Sequence, residues 1–161
     1  MKRHASLHPL SQHHHFALMQ ALFMRRAAEA PASRRAAAVR QAAQKFLHFW
    51  KKTGVQHFRE EEEILLPAYS RHVRLDKDSA VMRMLADHAE IRAQILQLEA
   101  SLADDAPSDE TLAVLARALH DHIRYEENEI FPRIEKALTE ADLQAMGQRL
   151  TRLHPKRSCE I

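Results

Sequence analysis

The stretch HFREEEEILLP, residues 57–67, returns in closely similar form as HIRYEENEIFP at residues 122–132. The two copies align without a gap, share the pattern H-x-R-x-E-E, and each ends in a proline. In both, the first glutamate of the pair follows the histidine by four residues, so the two side chains lie one turn apart on one face of a helix. This internal repeat indicates two related parts of one site.

The composition around the repeat is typical of a helical protein. The chain has 161 residues, of which 45% are apolar and 29% charged, with only 2 Gly and 6 Pro. This length fits a single domain over residues 1–161, and the abundance of helix-forming residues favours helix nearly throughout. The 12 histidines are the unusual feature, and they require an explanation.

The sequence gives no indication of a nucleic-acid or membrane partner. The net charge is +2, and the arginines are spread along the chain. There is no apolar run of about 18 residues, the length that a membrane span needs. The N-terminus lacks the apolar core of a secretory signal, so a cytoplasmic location is expected. The single Cys159 lies near the end of the sequence, where no structural disulfide is expected.

Prolines and polar loops divide the chain into four long helices and one short helix. We predict helices over about residues 10–30, 33–66, 76–102 and 108–138, with Ser33 and Ser108 as N-caps. A short helix is expected after Thr139. Gly54 should loosen the second helix, and the proline of each repeat copy should end or kink its helix.

The apolar residues of the long helices recur at i, i+3, i+4 and i+7, as they do in amphipathic helices with one buried face. Short connections between such helices favour antiparallel packing of neighbours. We therefore predict an all-α fold, an up-down-up-down four-helix bundle with its core at about residues 10–138. The short helix and tail over 139–161 would lie outside this core.

Polar residues interrupt the apolar faces at matching positions. The third helix has His88 on its face, the second His57 and Glu61, and the fourth His122 and Glu126. A single such histidine is usually a hydrogen-bonded core residue. Carboxylates and imidazoles that converge from facing helices instead indicate a metal site, because unpaired charges are costly to bury. Nitrogen and oxygen ligands without thiolate favour iron or manganese, and zinc is also compatible.

The first helix should supply the remaining corner of the site, and it opens with His13, His14 and His15. Three adjacent histidines point in three directions, so at most two can face the interior. His14 follows Leu10 by four residues, whereas His13 precedes Phe16 at a similar inward spacing. The helical pattern alone leaves both His13 and His14 as candidates.

Together these motifs resemble the hemerythrin-like HHE cation-binding domains over about residues 10–135. The most specific segments are HFREEEEILLPAY, HIRYEENEIFP, DHAEIRAQI and LSQHHHFALMQA. The resemblance implies a four-helix bundle with a non-haem di-iron centre, and its leucine-to-histidine spacing on the first helix selects His14. The implied metal ligands are His14, His57, Glu61, His88, His122 and Glu126, and the two glutamates would bridge a pair of irons.

One ligand position departs from the oxygen-carrying hemerythrins. Those proteins have two histidines four apart on the third helix, but no second histidine lies at that spacing from His88. The nitrogen ligand that this second histidine would provide is either absent here or replaced by another residue, with His13, Glu60 or Tyr125 as candidates. This departure favours binding or sensing of oxygen, nitric oxide, peroxide or iron itself over oxygen storage. It leaves open whether one metal ion or two are bound.

The other acidic residues of the repeat are interpreted as surface groups. Those expected to be solvated, some of them close to arginines, are Glu62, Glu63, Glu127 and Glu129. A secondary hypothesis is that His120 and Asp121 orient the imidazole of His122.

Two other classes of function are compatible with a helical bundle. A ferritin-like di-iron oxidase or iron store would carry E-x-x-H pairs, and no glutamate here is followed by histidine three residues later. A helical interaction module would keep a polar core for structural reasons alone. Nucleophile elbows, phosphate-binding loops and cysteine pairs are absent from the sequence, so a metal-binding or sensing role is favoured over a dedicated enzyme.

Overall fold

The structure is a computed structural model that describes residues 3–153. These residues form five helices, with short 3-10 turns at Ala5–Leu7 and Leu75–Lys77. The helices are α1 (His8–Ala28), α2 (32–69), α3 (Ser79–Ala103), α4 (109–137) and α5 (Glu140–Leu153). α1 packs against α2 and α4, and α3 packs against the same two helices. The predicted all-α bundle with an additional C-terminal helix is confirmed, while the tail that carries Cys159 lies outside the described residues.

The helix bounds agree with the predicted ones to within a few residues, and local hydrogen bonds explain several of them. The side chain of Ser108 accepts a hydrogen bond from the backbone N–H of Thr111, so it caps α4 as predicted. The hydroxyl of Thr139 caps α5 in the same way. The prediction of Ser33 as a cap is wrong, because α2 already begins at Ala32.

A wider, π-helical turn interrupts both α2 and α4 within the repeated motif. These turns are Glu61–Leu65 and Glu126–Ile130, and in each the carbonyl of the first glutamate accepts a hydrogen bond from the N–H five residues later. Proline has no N–H and its ring clashes with the carbonyl four residues before it, so the ordinary α-helical ladder cannot pass through Pro67 or Pro132. Both helices continue beyond their prolines, so of the two predicted effects, an end or a kink, the end at Pro67 is excluded, and α4 runs past Pro132 as its predicted bounds required. Such π turns are frequent at functional sites.

A third π-helical turn, Trp50–Gly54, lies earlier in α2 and accounts for the irregularity expected at Gly54. A Cβ atom on this glycine would overlap Cε3 of the Trp50 indole. The indole in turn packs edge-on against Phe58, with ring centroids 5.1 Å apart. Glycine is therefore required because the Trp50 ring lies directly against the helix backbone.

Two apolar clusters fill the bundle, one towards the α1–α2 turn and one towards α5. The first includes Phe46, Leu98 and Leu115, and the second includes Leu65 and Met84. Between them lies a layer of buried polar side chains, which we call the polar layer. Within residues 3–153 its members are His14, His57, Glu60, Glu61, His88, His122 and Glu126. The layer contains all six predicted site residues and one addition, Glu60.

Candidate metal centre

The six predicted residues of the polar layer form two groups of potential ligands, which we call the first and the second half. Both halves contain Glu61 and Glu126. The first half adds His14 from α1 and His57 from α2, whereas the second half adds His88 from α3 and His122 from α4. In each half the four potential ligand atoms lie within 4.8 Å of one another. Each of the four bundle helices therefore contributes one histidine, and the repeat contributes both shared carboxylates.

Each shared carboxylate presents one oxygen to each half. Glu126 Oε2 lies 3.0 Å from Nε2 of His14, and Glu126 Oε1 lies 3.1 Å from Nε2 of His122. Glu61 Oε1 lies 3.3 Å from Nε2 of His57, and Glu61 Oε2 lies 3.4 Å from Nε2 of His88. Two carboxylates in this arrangement can bridge a pair of cations.

Two glutamates that were expected to be solvated instead contact the imidazoles from outside. Glu127 Oε1 lies 2.7 Å from Nδ1 of His14, and Glu62 Oε1 lies 2.7 Å from Nδ1 of His88. A carboxylate that accepts a hydrogen bond from Nδ1–H fixes the tautomer in which Nε2 is free to bind a metal. Glu62 and Glu127 occupy the same position in the two repeat copies. This match in the repeat indicates a shared role for the two glutamates, which their interpretation as solvated surface groups did not take into account.

Arginines hold these two outer carboxylates in place. Arg3 lies 2.9 Å from Glu127, and Arg92 lies 2.9 Å from Glu62. Both glutamates are about a quarter exposed, with side-chain exposures of 24% and 29%. The expectation that arginines lie near Glu62 and Glu127 is therefore right. The expectation that these glutamates are mainly solvated is wrong, because each contacts an imidazole and an arginine. Glu63 and Glu129, in contrast, are exposed as predicted.

The predicted orienting pair for His122 is wrong. His120 and Asp121 are exposed and contact each other at 3.0 Å. The carboxylate on the Nδ1 side of His122 is Asp87 of α3, at 3.7 Å. The acidic neighbour comes from a facing helix, which the sequence adjacent to His122 could not reveal.

His57 also belongs to a third group of potential ligands, with His13 and Glu60, whose ligand atoms lie within 4.8 Å of one another. Nδ1 of His13 lies 3.9 Å from Oε2 of Glu60, and Gln56 donates a hydrogen bond of 2.9 Å to Oε1. Of the two adjacent first-helix candidates, the structure places His14 in the first half and His13 beside it. Tyr125, the remaining candidate, packs its ring under the guanidinium of Arg83 at 3.8 Å.

The electrostatics of the polar layer favour anionic carboxylates. Burial and the neighbouring charge of Glu126 raise the pKa of Glu61, but the imidazoles of His57, His14 and His88 outweigh them and lower it to about 2. Burial raises the pKa of Glu126 as well, but the histidines around it bring that pKa well below its usual range. Two adjacent anionic carboxylates in a bundle core need positive charge beside them.

The histidines of the layer differ in their proton affinity. Burial lowers the pKa of His57 to about 4, so this imidazole is neutral at physiological pH, as a metal ligand must be. Burial also tends to lower the pKa of His88, but the nearby carboxylates of Glu126 and Glu61 raise it to about 10. The positive charge that balances the carboxylates can thus be either protons on imidazoles or bound cations.

Several buried atoms of the layer make no hydrogen bond of regular geometry within the described residues. They include Nε2 of all four paired histidines and both carboxylate oxygens of Glu61 and Glu126. Although His14 Nε2 and Glu126 Oε2 are 3.0 Å apart, their angles are not those of a hydrogen bond. Buried polar atoms in this state are rare in proteins. The donor set, four imidazoles and two carboxylates, fits a pair of iron, manganese or zinc ions.

A small cavity of about 20 Å³ adjoins the first half. His13, His14, His57 and His122 line it together with apolar side chains that include Phe46 and Trp50. Its volume is roughly that needed for one water molecule. In the second half, the ring of Phe58 stacks on His88 with centroids 3.7 Å apart, and His122 faces the same cavity.

Comparison with known proteins agrees with this geometry. The hemerythrin HHE cation-binding domain matches residues 7–134, a range that includes both repeat copies and all six predicted ligands. No curated protein and no solved structure matches the chain. Within residues 3–153, none of the helices has the length and apolar character needed to cross a membrane. On the strength of the matched range, the chain belongs to the hemerythrin HHE cation-binding domain family.

Proposed function

We propose that this protein binds two iron ions in the polar layer and that the iron pair binds or senses a small ligand such as oxygen, nitric oxide or peroxide. The observation that carries the proposal is the sharing of Glu61 and Glu126 by two otherwise separate groups of ligand atoms. His14 and His57 would hold one ion, and His88 and His122 the other. A bound iron pair would supply redox chemistry and open coordination positions for the ligand.

The surrounding residues would prepare the ligands for this role. Glu127 and Glu62 accept hydrogen bonds from the Nδ1–H groups of His14 and His88, so that Nε2 of each faces the shared carboxylates. The cavity beside His57 has room for about one water-sized molecule, and most of its lining residues are apolar. Both features support a small neutral ligand over a larger substrate.

Anaerobic reconstitution with ferrous iron tests the proposal. We expect about two irons per chain, one for each group of ligands. Exposure to air should then produce the absorption of a carboxylate-bridged ferric pair. A folded protein that takes up no iron would support a purely structural polar core, and one that binds only zinc tightly would also contradict the proposal. Rapid ferrous oxidation with mineral formation would instead favour an iron-storage role.

A further inference from the structure

We propose that His13, His57 and Glu60 form a third cation position, beside the metal pair, through which cations reach the first half. The inference rests on the proposed metal pair and assigns a route for loading it. Two imidazoles and one carboxylate are a common ligand set for divalent transition metals. Their potential ligand atoms lie within 4.8 Å of one another, as close as those of each half.

The three residues extend from the surface towards the interior. The side chain of His13 is 16% exposed, whereas that of Glu60 is 1% exposed and belongs to the polar layer. Gln56 donates a hydrogen bond to one oxygen of Glu60, and His13 lies beside the other oxygen at 3.9 Å. A cation arriving from solvent would therefore meet His13 first and Glu60 next.

His57 is common to the third position and to the first half. Its ring centroid lies 5.4 Å from that of His13 and 4.7 Å from that of His14. A neutral imidazole has one nitrogen lone pair free for a cation. The two positions therefore compete for His57, and a cation that leaves the third position has Glu61 and His14 next to it. This arrangement suits transient passage rather than permanent storage.

The second half has a different residue at the equivalent place. Tyr125 is the counterpart of Glu60 in the repeat, and its ring is covered by the guanidinium of Arg83. Phe58 is stacked on His88 in the same half. Within the described residues, the cluster of His13, His57 and Glu60 therefore has no counterpart beside the second half, so loading through it would begin at the first half.

Cobalt(II) loading of the metal-free protein tests the inference, because its visible absorption reports coordination during the reaction. We compare wild type with His13→Gln and Glu60→Gln, using His15→Gln and Glu63→Gln as controls, since both control side chains are exposed. The first two variants should load about tenfold more slowly, as expected for a weakened metal site. Their final cobalt content and final spectrum should equal those of wild type. His13→Glu, which retains a ligand, should load faster than His13→Gln.

The alternative outcomes are distinguishable. Equal loading rates in all five variants and wild type would overturn the third position. Loss of one cobalt or an altered final spectrum in His13→Gln or Glu60→Gln would also overturn it, because the replaced residue would then be a permanent ligand. Wild type that binds no metal pair would overturn the proposed function itself. If a variant fails to fold, the time course of cobalt loading on wild type decides: an early spectrum that decays into the final one supports the position, and a final spectrum that appears in a single step contradicts it.

Discussion

The two halves of the polar layer have the same histidine and glutamate framework but different surroundings. In the first, His57 belongs also to the cluster with His13 and Glu60, whereas in the second, His88 lies under the stacked ring of Phe58. The residues that match between the repeat copies provide the shared framework. One of the positions at which the copies differ, Glu60 in one and Tyr125 in the other, accompanies the difference in access. The repeated residues thus set which cations can be held, and the unmatched residues set how they are reached.

The largest effect should come from the carboxylates that join the halves. Because Glu61 and Glu126 each face both halves, Glu61→Gln or Glu126→Gln should reduce the metal content of the reconstituted protein from two ions to one or none. His57→Gln or His122→Gln should affect mainly its own half. Metal analysis after gel filtration checks this, with Glu63→Gln as the exposed control. A Glu61→Gln protein that keeps two tightly bound ions would show that the halves are independent.

Removal of metal should have the next largest effect. Ligand binding to the folded state stabilises it by about 4 kcal/mol when the free ligand is at roughly a thousandfold its Kd. For a chain of this length that corresponds to a decrease in Tm of about 10 °C on chelation. Differential scanning calorimetry with and without chelator measures the change. The double variant His57→Leu, His122→Leu should show no such response, and an equal response in it would place the stabilising ion elsewhere.

Gly54→Ala tests the packing behind the cavity of the first half. Alanine is the better helix former by about 1 kcal/mol, but its Cβ would overlap the Trp50 indole, and overpacking costs up to about 3 kcal/mol. We therefore expect net destabilisation in urea unfolding. Trp50→Leu should relieve much of it in a double-mutant cycle. If Gly54→Ala is as stable as wild type, the indole moves freely and cannot define the cavity wall.

The smallest effect should arise at the outer glutamates. Glu127→Gln and Glu62→Gln keep the shape of the side chain but weaken the contact with Nδ1 of His14 and His88. Each should lower metal affinity about tenfold, or about 1.4 kcal/mol, and each mainly in its own half. Competition with a coloured chelator measures both affinities, and Glu129→Gln is the exposed control. An unchanged affinity in both variants would show that the outer carboxylates are not needed to orient the imidazoles.

Much of this arrangement follows from local patterns in the chain. The i, i+4 spacing of His57 and Glu61, and its repetition in α4, place these side chains on inner faces of the helices. The single polar residue on the face of α3 adds His88 to the same level of the bundle. Four amphipathic helices with short connections then leave few ways to pack, which is why the bundle could be predicted.

The remaining features depend on contacts between helices, or on changes of helical phase. Glu62 and Glu127 immediately follow the residues that begin the π turns, where the backbone departs from regular α-helical spacing. A regular helical wheel assigned both to the solvent side, whereas each reaches an imidazole of another helix. Asp87, which faces His122 from α3, is likewise visible only once the helices are packed.

The polar layer also separates the apolar core into two clusters that have no residue in common among those described. Cooperative unfolding of the whole bundle would then depend on how strongly the layer couples its two ends. Bound cations would link all four helices at one level, whereas the metal-free layer leaves like-charged carboxylates side by side. We expect native-state hydrogen exchange to report one cooperative unit with metal and two separable units without it, the end covered by α5 and the end at the α1–α2 turn.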